Sequence, residues 1–290
     1  METPSPRSPL GTGFSPAYLS MATSSFTDFL RAQAPELLPS SRLSAGLPLD
    51  GQVGDRLRLA HGTTIVAVTF KGGVLIAGDR RATSGSLIAH NQMDKVFVTD
   101  AYSAVGVAGT AAIGVEMIRL YAVELRHYEK IEGISLSLDG KANKLATMVR
   151  GNLDGAMAGL VALPLFIGYD TDAADPDKAG RIISFDPAGG RFEEHAGYHS
   201  IGSGSMFAKS AMKKLYDPEA DVDTAVRNTV ESLYDAADDD SGTGGPDTVR
   251  KIYPTMITIT AEQGTVKLPE DRMAEVTEAV VAGRRERVTS

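Results

Sequence analysis

The residue pair Gly62–Thr63 suggests the most specific chemistry in this sequence. It lies in the run His61-Gly62-Thr63-Thr64, where a Pro- and Ser-rich stretch ends and an alternating apolar pattern begins. A threonine hydroxyl is a weak nucleophile near neutral pH and needs a base. A Thr at the first position of a chain can use its own α-amine, whose reference pKa is about 8. The pattern predicts a nucleophile that becomes active only after residues 1–62 are removed.

Other bases and metal ligands are not indicated by the sequence. There is no G-x-S-x-G or H-E-x-x-H motif, so the histidines are interpreted as surface residues (His61, His90, His127, His195 and His199). The chain has no Cys, which excludes disulfides and thiolate sites. An acidic run lacks the spacing of a calcium loop (Asp235, Asp238, Asp239 and Asp240). We therefore expect neither a metal nor a cofactor.

Composition divides the chain into two parts. Its 290 residues carry 37 acidic and 29 basic side chains, a net charge of −8 that disfavours nucleic acid and anionic membranes. Residues 1–62 hold 7 of the 14 prolines but no net charge. There is neither a membrane-spanning apolar run nor a secretory signal pattern, so we expect a cytoplasmic protein. We predict a largely flexible propeptide over 1–62 and one catalytic domain over 63–290.

One stretch of the leader differs from the rest. Ser25 followed by Asp28 resembles a capping box, and Phe26, Phe29 and Leu30 would share one helix face. The pattern predicts a short helix near residues 25–34. Two interpretations remain open, a helix on a tail and a docking helix for a partner.

From residue 63 the pattern changes to strands and helices. Two strands, joined around Gly72, would place Val66, Val68 and Phe70 on one face, and two more strands precede a helix from Ala111 to Lys130. A second helix, three strands, two further helices, a strand and a last amphipathic helix follow. This order is not the strict alternation of a doubly wound sheet. It predicts an α+β protein with sheets packed face to face and helices outside.

Six motifs in this order resemble those of proteasome β subunits, most closely the actinobacterial branch (Thr63-Thr64-Ile65-Val66, GDRRAT, DKVFVTD, AGTAAIG, GSGS and DDSGTGG). The resemblance covers essentially all of residues 63–290. It implies the fold of the N-terminal-nucleophile hydrolases, a four-layer αββα sandwich of two antiparallel sheets flanked by helices. It also implies a threonine endopeptidase that activates itself by cleavage between Gly62 and Thr63.

The same resemblance assigns roles to individual residues. Thr63 would be the nucleophile, with the positive charge of Lys95 beside it favouring deprotonation of the hydroxyl and the amine. Asp79 would pair with Lys95 and hold it charged. Ser203 and Asp240 would hydrogen-bond around the Thr63 amine.

Further roles concern the substrate. Gly109 would donate its backbone N–H to the oxyanion, and Thr83 and Gly85 would hold the substrate as an added β-strand. Thr243 stands where the family usually has Ser, which keeps the hydroxyl but adds a methyl group. Apolar residues would form a pocket that favours cleavage after hydrophobic residues (Ala82, Met93, Phe97, Val107 and Ala111).

The partners implied by the resemblance are those of a four-ring particle. Two outer rings of seven α subunits would enclose two inner rings of seven β subunits, served by a regulatory ATPase ring and by substrates tagged with a ubiquitin-like modifier. The alternatives are a simpler two-ring bacterial protease, another N-terminal-nucleophile amidase, and a non-catalytic ring subunit. The last would be expected to have lost Thr63, Asp79 or Lys95, and all three are present.

Overall fold

A computed structural model describes residues 23–38 and 62–289 of the chain. The predicted flexibility of most of the leader concerns residues that lie outside these ranges. Within the leader, helix α1 spans Phe26–Gln33 and is followed by a 3-10 turn at Pro35–Leu37. Ser25 caps α1, because its side chain accepts a hydrogen bond of 3.2 Å from the amide of Asp28.

The strands of the described residues fall into two five-stranded antiparallel sheets and one hairpin. The first sheet has the order β10-β1-β2-β11-β12, the second runs β5-β6-β7-β8-β9, and β3 pairs with β4. In chain order they are β1 Thr64–Phe70, β2 Gly73–Gly78, β3 Ala82–Ser84, β4 Leu87–His90, β5 Val96–Asp100, β6 Ser103–Gly109, β7 Ala162–Tyr169, β8 Gly180–Phe185, β9 Arg191–Glu193, β10 Tyr198–Gly202, β11 Thr255–Thr260 and β12 Gly264–Lys267.

The remaining helices form two groups. They are α2 Ala111–Glu132, α3 Leu138–Gly151, α4 Leu153–Met157, α5 Ser205–Leu215, α6 Val222–Asp239 and α7 Glu270–Thr289. Helices α2 and α3 pack on the second sheet, and α5, α6 and α7 pack on the first. Among residues 23–38 and 62–289, no helix has both the length and the apolarity to cross a bilayer.

Three apolar clusters hold the layers together. One lies between the two sheets and includes Ile65, Ile76 and Ile167. The outer face of the first sheet contributes Val66, Val68 and Phe70 to the cluster with its helices, which confirms the face predicted for β1. The layers are therefore helix, sheet, sheet, helix, and the predicted αββα sandwich is confirmed.

Several elements differ from the predicted ones. The second helix was expected to run without a break, but Asn152 separates α3 from α4. His90 was expected in a loop and lies instead in β4, whose side chains are all exposed. Strands β3, β4, β10 and β12 were not predicted, because they are short and carry polar or exposed side chains in place of an alternating apolar pattern.

Candidate active site

Thr63 lies directly before β1 and is buried, with 6% of its surface exposed. The loop after β10 fixes its backbone, since the amide of Ser203 donates a 2.9 Å hydrogen bond to the Thr63 carbonyl. Gly202 allows this close approach. Its φ is 101°, and a Cβ there would lie 1.9 Å from the Thr63 carbonyl oxygen. The edge strand β10 therefore holds Thr63 at the start of the first sheet.

Lys95 and Asp79 form a buried ion pair beside Thr63. Asp79 follows β2 in the first sheet, and Lys95 precedes β5 in the second, so the pair forms where the two sheets meet. Lys95 Nζ lies 2.7 Å from Asp79 Oδ1, and the two residues are 3% and 1% exposed. Lys95 Nζ also donates to the carbonyl oxygens of Gly62, at 2.9 Å, and of Arg81.

Backbone amides stabilise the charge of Asp79. Its carboxylate accepts hydrogen bonds from the amides of Thr64 at 2.8 Å, Arg81 at 2.9 Å and Gly244 at 2.8 Å. Burial lowers the pKa of the Lys95 ammonium below its ordinary value, and the attraction of Asp79 offsets this only in part. The result is a desolvated cation held in a fixed position.

The carbonyl oxygen of Gly62 accepts from two groups at once. The hydroxyl of Thr63 donates to it at 2.6 Å, in addition to the bond from Lys95. Gly62 has a φ of 88°, and a Cβ there would lie 2.6 Å from Thr83 Oγ1. The Thr63 hydroxyl and the Lys95 ammonium thus both donate to the carbonyl oxygen of the Gly62–Thr63 peptide bond, and they polarise that carbonyl.

Asp240 organises a second network next to Thr63. Its Oδ2 accepts from the hydroxyls of Ser203 and Thr243, both at 2.6 Å. The Thr63 amide in turn lies 3.5 Å from Ser203 Oγ. Burial alone would raise the pKa of the Asp240 carboxyl, but the hydrogen bonds from Ser203, Thr243 and the Gly242 amide together lower it. The network places an ionised carboxylate one hydroxyl away from the Thr63 nitrogen.

Thr64 is a further member of the site for which the sequence suggested no role. It is fully buried, and its hydroxyl accepts from the Gly204 amide at 3.0 Å and lies 2.6 Å from Thr243 Oγ1. Through Thr243 it joins the start of β1 to Asp240. The second Thr of the His61-Gly62-Thr63-Thr64 run was the available signal, but the contact partners lie far along the chain.

Gly109 ends β6, directly before α2. Its φ is 103°, and a Cβ would lie 2.2 Å from the carbonyl oxygen of Val161. The backbone alone therefore requires glycine here. Its role at the oxyanion stays a prediction, as does substrate binding by Thr83 and Gly85. Thr83 is the half-buried middle residue of β3, and Gly85 lies in the exposed turn after it.

The residues predicted to form the specificity pocket lie in different environments. Val107 is 6% exposed and belongs to the core cluster between the second sheet and α2, and Phe97 packs against that cluster. Ala82 is buried in β3, whereas Met93 and Ala111 are partly exposed. The preference for hydrophobic residues stays a prediction.

Two members of the acidic run, Asp235 and Asp240, have described partners. Asp235 pairs with Arg284 of α7, and Asp240 belongs to the Ser203 network. Within residues 23–38 and 62–289, no three His, Asp or Glu side chains are grouped to hold a metal ion.

Comparison with known proteins identifies the family. The family described as "Proteasome subunit" matches residues 59–252, more than half of the chain, and the match begins close to Thr63. The chain belongs to the proteasome subunit family. It is 65% identical to "Proteasome subunit beta" of Saccharomonospora viridis, over 96% of this chain and 97% of that protein.

Other relatives support the same assignment. "Proteasome subunit beta" of Saccharopolyspora erythraea is 64% identical, over 98% of this chain and 97% of that protein. The Mycobacterium avium protein of the same name is 60% identical, over 90% of this chain and 86% of its own length. The resemblance to proteasome β subunits is confirmed. Because the first two alignments cover nearly the whole chain, they include most of residues 1–62.

Proposed function

We propose that this chain is the catalytic β subunit of a proteasome core particle, a threonine endopeptidase whose nucleophile is Thr63. The observation that carries the proposal is the meeting of the Thr63 hydroxyl and the Lys95 ammonium at the Gly62 carbonyl oxygen. A lysine buried beside a hydroxyl nucleophile is a costly arrangement that an architectural subunit does not need. This favours catalysis over the non-catalytic alternative.

The first reaction of the proposal is cleavage of the chain itself. Thr63 Oγ1 attacks the carbonyl carbon of Gly62, and the negative charge that develops on the carbonyl oxygen is stabilised by Lys95 Nζ. The Gly62–Thr63 C–N bond then breaks, and the proton that Thr63 Oγ1 loses on attack is transferred to the Thr63 nitrogen, which becomes an amine. An ester between Gly62 and Thr63 Oγ1 remains, and water hydrolyses it to a carboxylate and a free hydroxyl.

The second reaction is peptide hydrolysis. The new α-amine of Thr63 accepts the proton of the Thr63 hydroxyl as this attacks a substrate carbonyl, which an amide nitrogen cannot do. Asp79 holds Lys95 near the nucleophile, and Ser203 and Asp240 orient the amine through the hydrogen bonds described above. The α-amine gives that proton to the substrate nitrogen as the scissile C–N bond breaks and the amine product leaves. The acyl-enzyme that remains is again an ester, which water hydrolyses to a carboxylate and a free Thr63 hydroxyl.

Intact-mass measurement of the purified, active particle tests the proposal. Removing residues 1–62 from a chain of 290 leaves 228 residues, and we expect that mass with Thr63 as the first residue. The physical reason is that only a free amine at Thr63 supplies the base. A fully active particle whose β chains all retain residues 1–62 would overturn the mechanism.

The role of Thr243 gives a separate prediction. Replacing Thr243 with Val keeps the shape but removes the buried hydroxyl that joins Asp240 to Thr64. We therefore expect kcat/KM for a fluorogenic peptide to fall roughly 10- to 100-fold. Thr243→Ser is the matched control, because it keeps the hydroxyl and should retain most of the activity. Equal activity of Thr243→Val and wild type would remove Thr243 from the site.

Assembly and substrates belong to the same proposal. Membership of the proteasome subunit family supports assembly with α subunits and other β subunits, and it favours this particle over the two-ring protease and the amidases. Cleavage after hydrophobic residues, a regulatory ATPase ring and substrates tagged by a ubiquitin-like modifier remain predictions. Measuring the size of the particle with and without a co-expressed α subunit tests assembly with α subunits.

A further inference from the structure

Thr64 and Thr243 form a buried pair of hydroxyls next to Asp240. Both residues are 0% exposed, and their Oγ1 atoms lie 2.6 Å apart. In an isolated pair either hydroxyl could be the donor, but the neighbouring carboxylate decides the direction. Thr243 gives its single hydrogen to Asp240 Oδ2 at 2.6 Å, because an ionised carboxylate only accepts. Thr64 is therefore the donor to Thr243.

A backbone amide fixes the orientation of the Thr64 hydroxyl. The N–H of Gly204, the residue before α5, donates to Thr64 Oγ1 at 3.0 Å. The first amides of a helix have no acceptor within the helix, and Gly204 has no side chain to supply one. A Cβ on Gly204 would lie 2.5 Å from Thr64 Oγ1 and 2.4 Å from Thr243 Oγ1, so both hydroxyls pack directly against this glycine. We use the name Thr64 relay for the hydrogen bonds that run from Gly204 through Thr64 and Thr243 to Asp240.

Ser203 approaches the same carboxylate from the side of the nucleophile. Its hydroxyl donates to Asp240 Oδ2 at 2.6 Å, which is closer than the alternative acceptor, the Thr63 carbonyl oxygen at 3.4 Å. Because the hydroxyl has one hydrogen, Ser203 Oγ is left as an acceptor 3.5 Å from the Thr63 nitrogen. Two rows of donors therefore end at Asp240, one from the Thr63 nitrogen and one from the amide before α5.

We infer that Thr64 is a positioning residue of the peptidase reaction, whose hydroxyl acts through Thr243 to hold the Asp240 carboxylate in the place from which it orients Ser203. The inference rests on the proposed function, because Ser203 meets a free amine only after the cut at Thr63. The described partners of the Thr64 hydroxyl are Gly204 and Thr243. The backbone amide of Thr64 donates separately to Asp79, and a change of side chain leaves that amide in place.

Steady-state kinetics of the assembled particle tests this role. Thr64→Val keeps the shape of the side chain and removes its hydroxyl. The rate is divided by the amount of β chain with the 228-residue mass, so that incomplete cleavage does not count as lost turnover. We expect kcat for a fluorogenic peptide to fall roughly tenfold with KM nearly unchanged, because the hydroxyl acts on the amine and not on bound substrate. Thr64→Ser keeps the hydroxyl and should restore most of the rate. An unchanged kcat in Thr64→Val would overturn the inference.

Thr69→Val is the matched control, because it makes the same change in the same strand. The Thr69 hydroxyl also has partners, the Gly197 carbonyl oxygen at 3.1 Å and the Tyr216 hydroxyl at 2.9 Å, but neither of them contacts Asp240. We expect Thr69→Val to leave kcat unaltered. An equal fall of kcat in Thr69→Val and Thr64→Val would show a general effect of losing a β1 hydroxyl and would count against the relay.

A double variant tests whether Thr64 acts through Thr243. Once Thr243→Val has broken the relay, removing the Thr64 hydroxyl as well should lower kcat no further, so the two effects should be strongly non-additive. If Thr64→Val lowered kcat by the same factor in the Thr243→Val background as in wild type, Thr64 would act independently of Thr243, and the relay would be wrong.

Hydrogen–deuterium exchange on the uncut Thr63→Ala chain tests the first contact of the relay without any catalysis. We expect the Gly204 amide to exchange about tenfold faster when Thr64→Val is added, because the amide loses its acceptor, and Thr64→Ser should restore slow exchange. Exchange of Gly204 that does not change in Thr64→Val would overturn the relay. A wild-type particle that is never cut, or that hydrolyses no peptide, would instead count against the proposed function, and the exchange result would still stand.

Discussion

The Thr63→Ala chain should keep all 290 residues and lose its peptidase activity. The change removes the hydroxyl that donates to the Gly62 carbonyl, so neither self-cleavage nor attack on a substrate has a nucleophile. Removing a nucleophile from a hydrolase typically lowers kcat by several orders of magnitude, and we expect on the order of 10⁴-fold or more. Intact mass reports the cleavage, and a fluorogenic peptide reports the turnover.

Thr63→Ser is the matched control for this prediction. It keeps the hydroxyl, so the chain should still be cut and should retain measurable activity. Circular dichroism of Thr63→Ala should show a folded chain, because the neighbouring Lys95–Asp79 pair is unchanged. Cleavage at Gly62 or normal turnover in Thr63→Ala would require another nucleophile and would refute the mechanism.

The buried ion pair gives the second large effect. Asp79→Asn leaves Lys95 as a buried cation without its counter-charge, and Lys95→Met leaves Asp79 as a buried anion without its partner. Removing one member of a buried pair typically costs about 3–5 kcal/mol of unfolding free energy. The double variant should lose less than the sum of the two single variants. Denaturant unfolding followed by circular dichroism, in the Thr63→Ala background, measures all four chains.

An exposed ion pair serves as the control. Lys71 and Glu219 are 3.2 Å apart, but their side chains are 51% and 73% exposed. Glu219→Gln should therefore change the unfolding free energy little. Additive losses in the double variant of Asp79 and Lys95 would contradict the coupling that their 2.7 Å contact implies.

The pH dependence of the same variants has a definite sign. Burial lowers the pKa of Lys95 below 10.5, the value expected in the unfolded chain. Between the folded and unfolded pKa values the unfolded state binds more protons, so the contribution of Lys95 to stability rises with pH in that alkaline window. Asp79→Asn removes the opposing attraction and should extend the window to lower pH. Lys95→Met should abolish it, which a series of unfolding curves below pH 10.5 can establish.

The sequence predicted the layers and several of the residues that meet at the site. Alternating apolar residues in β1 and helical spacing in α2 are local patterns, and each predicted a strand or helix that the structure contains. The motifs then located Thr63, Asp79 and Lys95. They lie together because the start of β1, the end of β2 and the start of β5 lie at the same end of the two sheets.

Contacts between distant segments could not be predicted in this way. The Thr64 hydroxyl meets that of Thr243 across 179 positions of the chain, and the Gly244 amide reaches Asp79 across 165. No local periodicity encodes such pairs. The leader shows the same limit, since a capping pattern predicted the helix but left its location open. The amide of Thr27 in that helix donates to Glu124, which is 97 positions away along the chain.

Cleavage of the Gly62–Thr63 bond would also change the hydrogen bonding of Lys95. An ammonium has three N–H donors, and in the uncut chain Asp79, Arg81 and Gly62 each accept one of them. The proposed cut gives the Gly62 carbonyl to the departing leader. One N–H of Lys95 is then left without an acceptor beside the hydroxyl of Thr63. The leader would thus be the first substrate of the site and would also occupy one hydrogen-bond donor of its lysine. One reaction would both create the amine and free that N–H of Lys95.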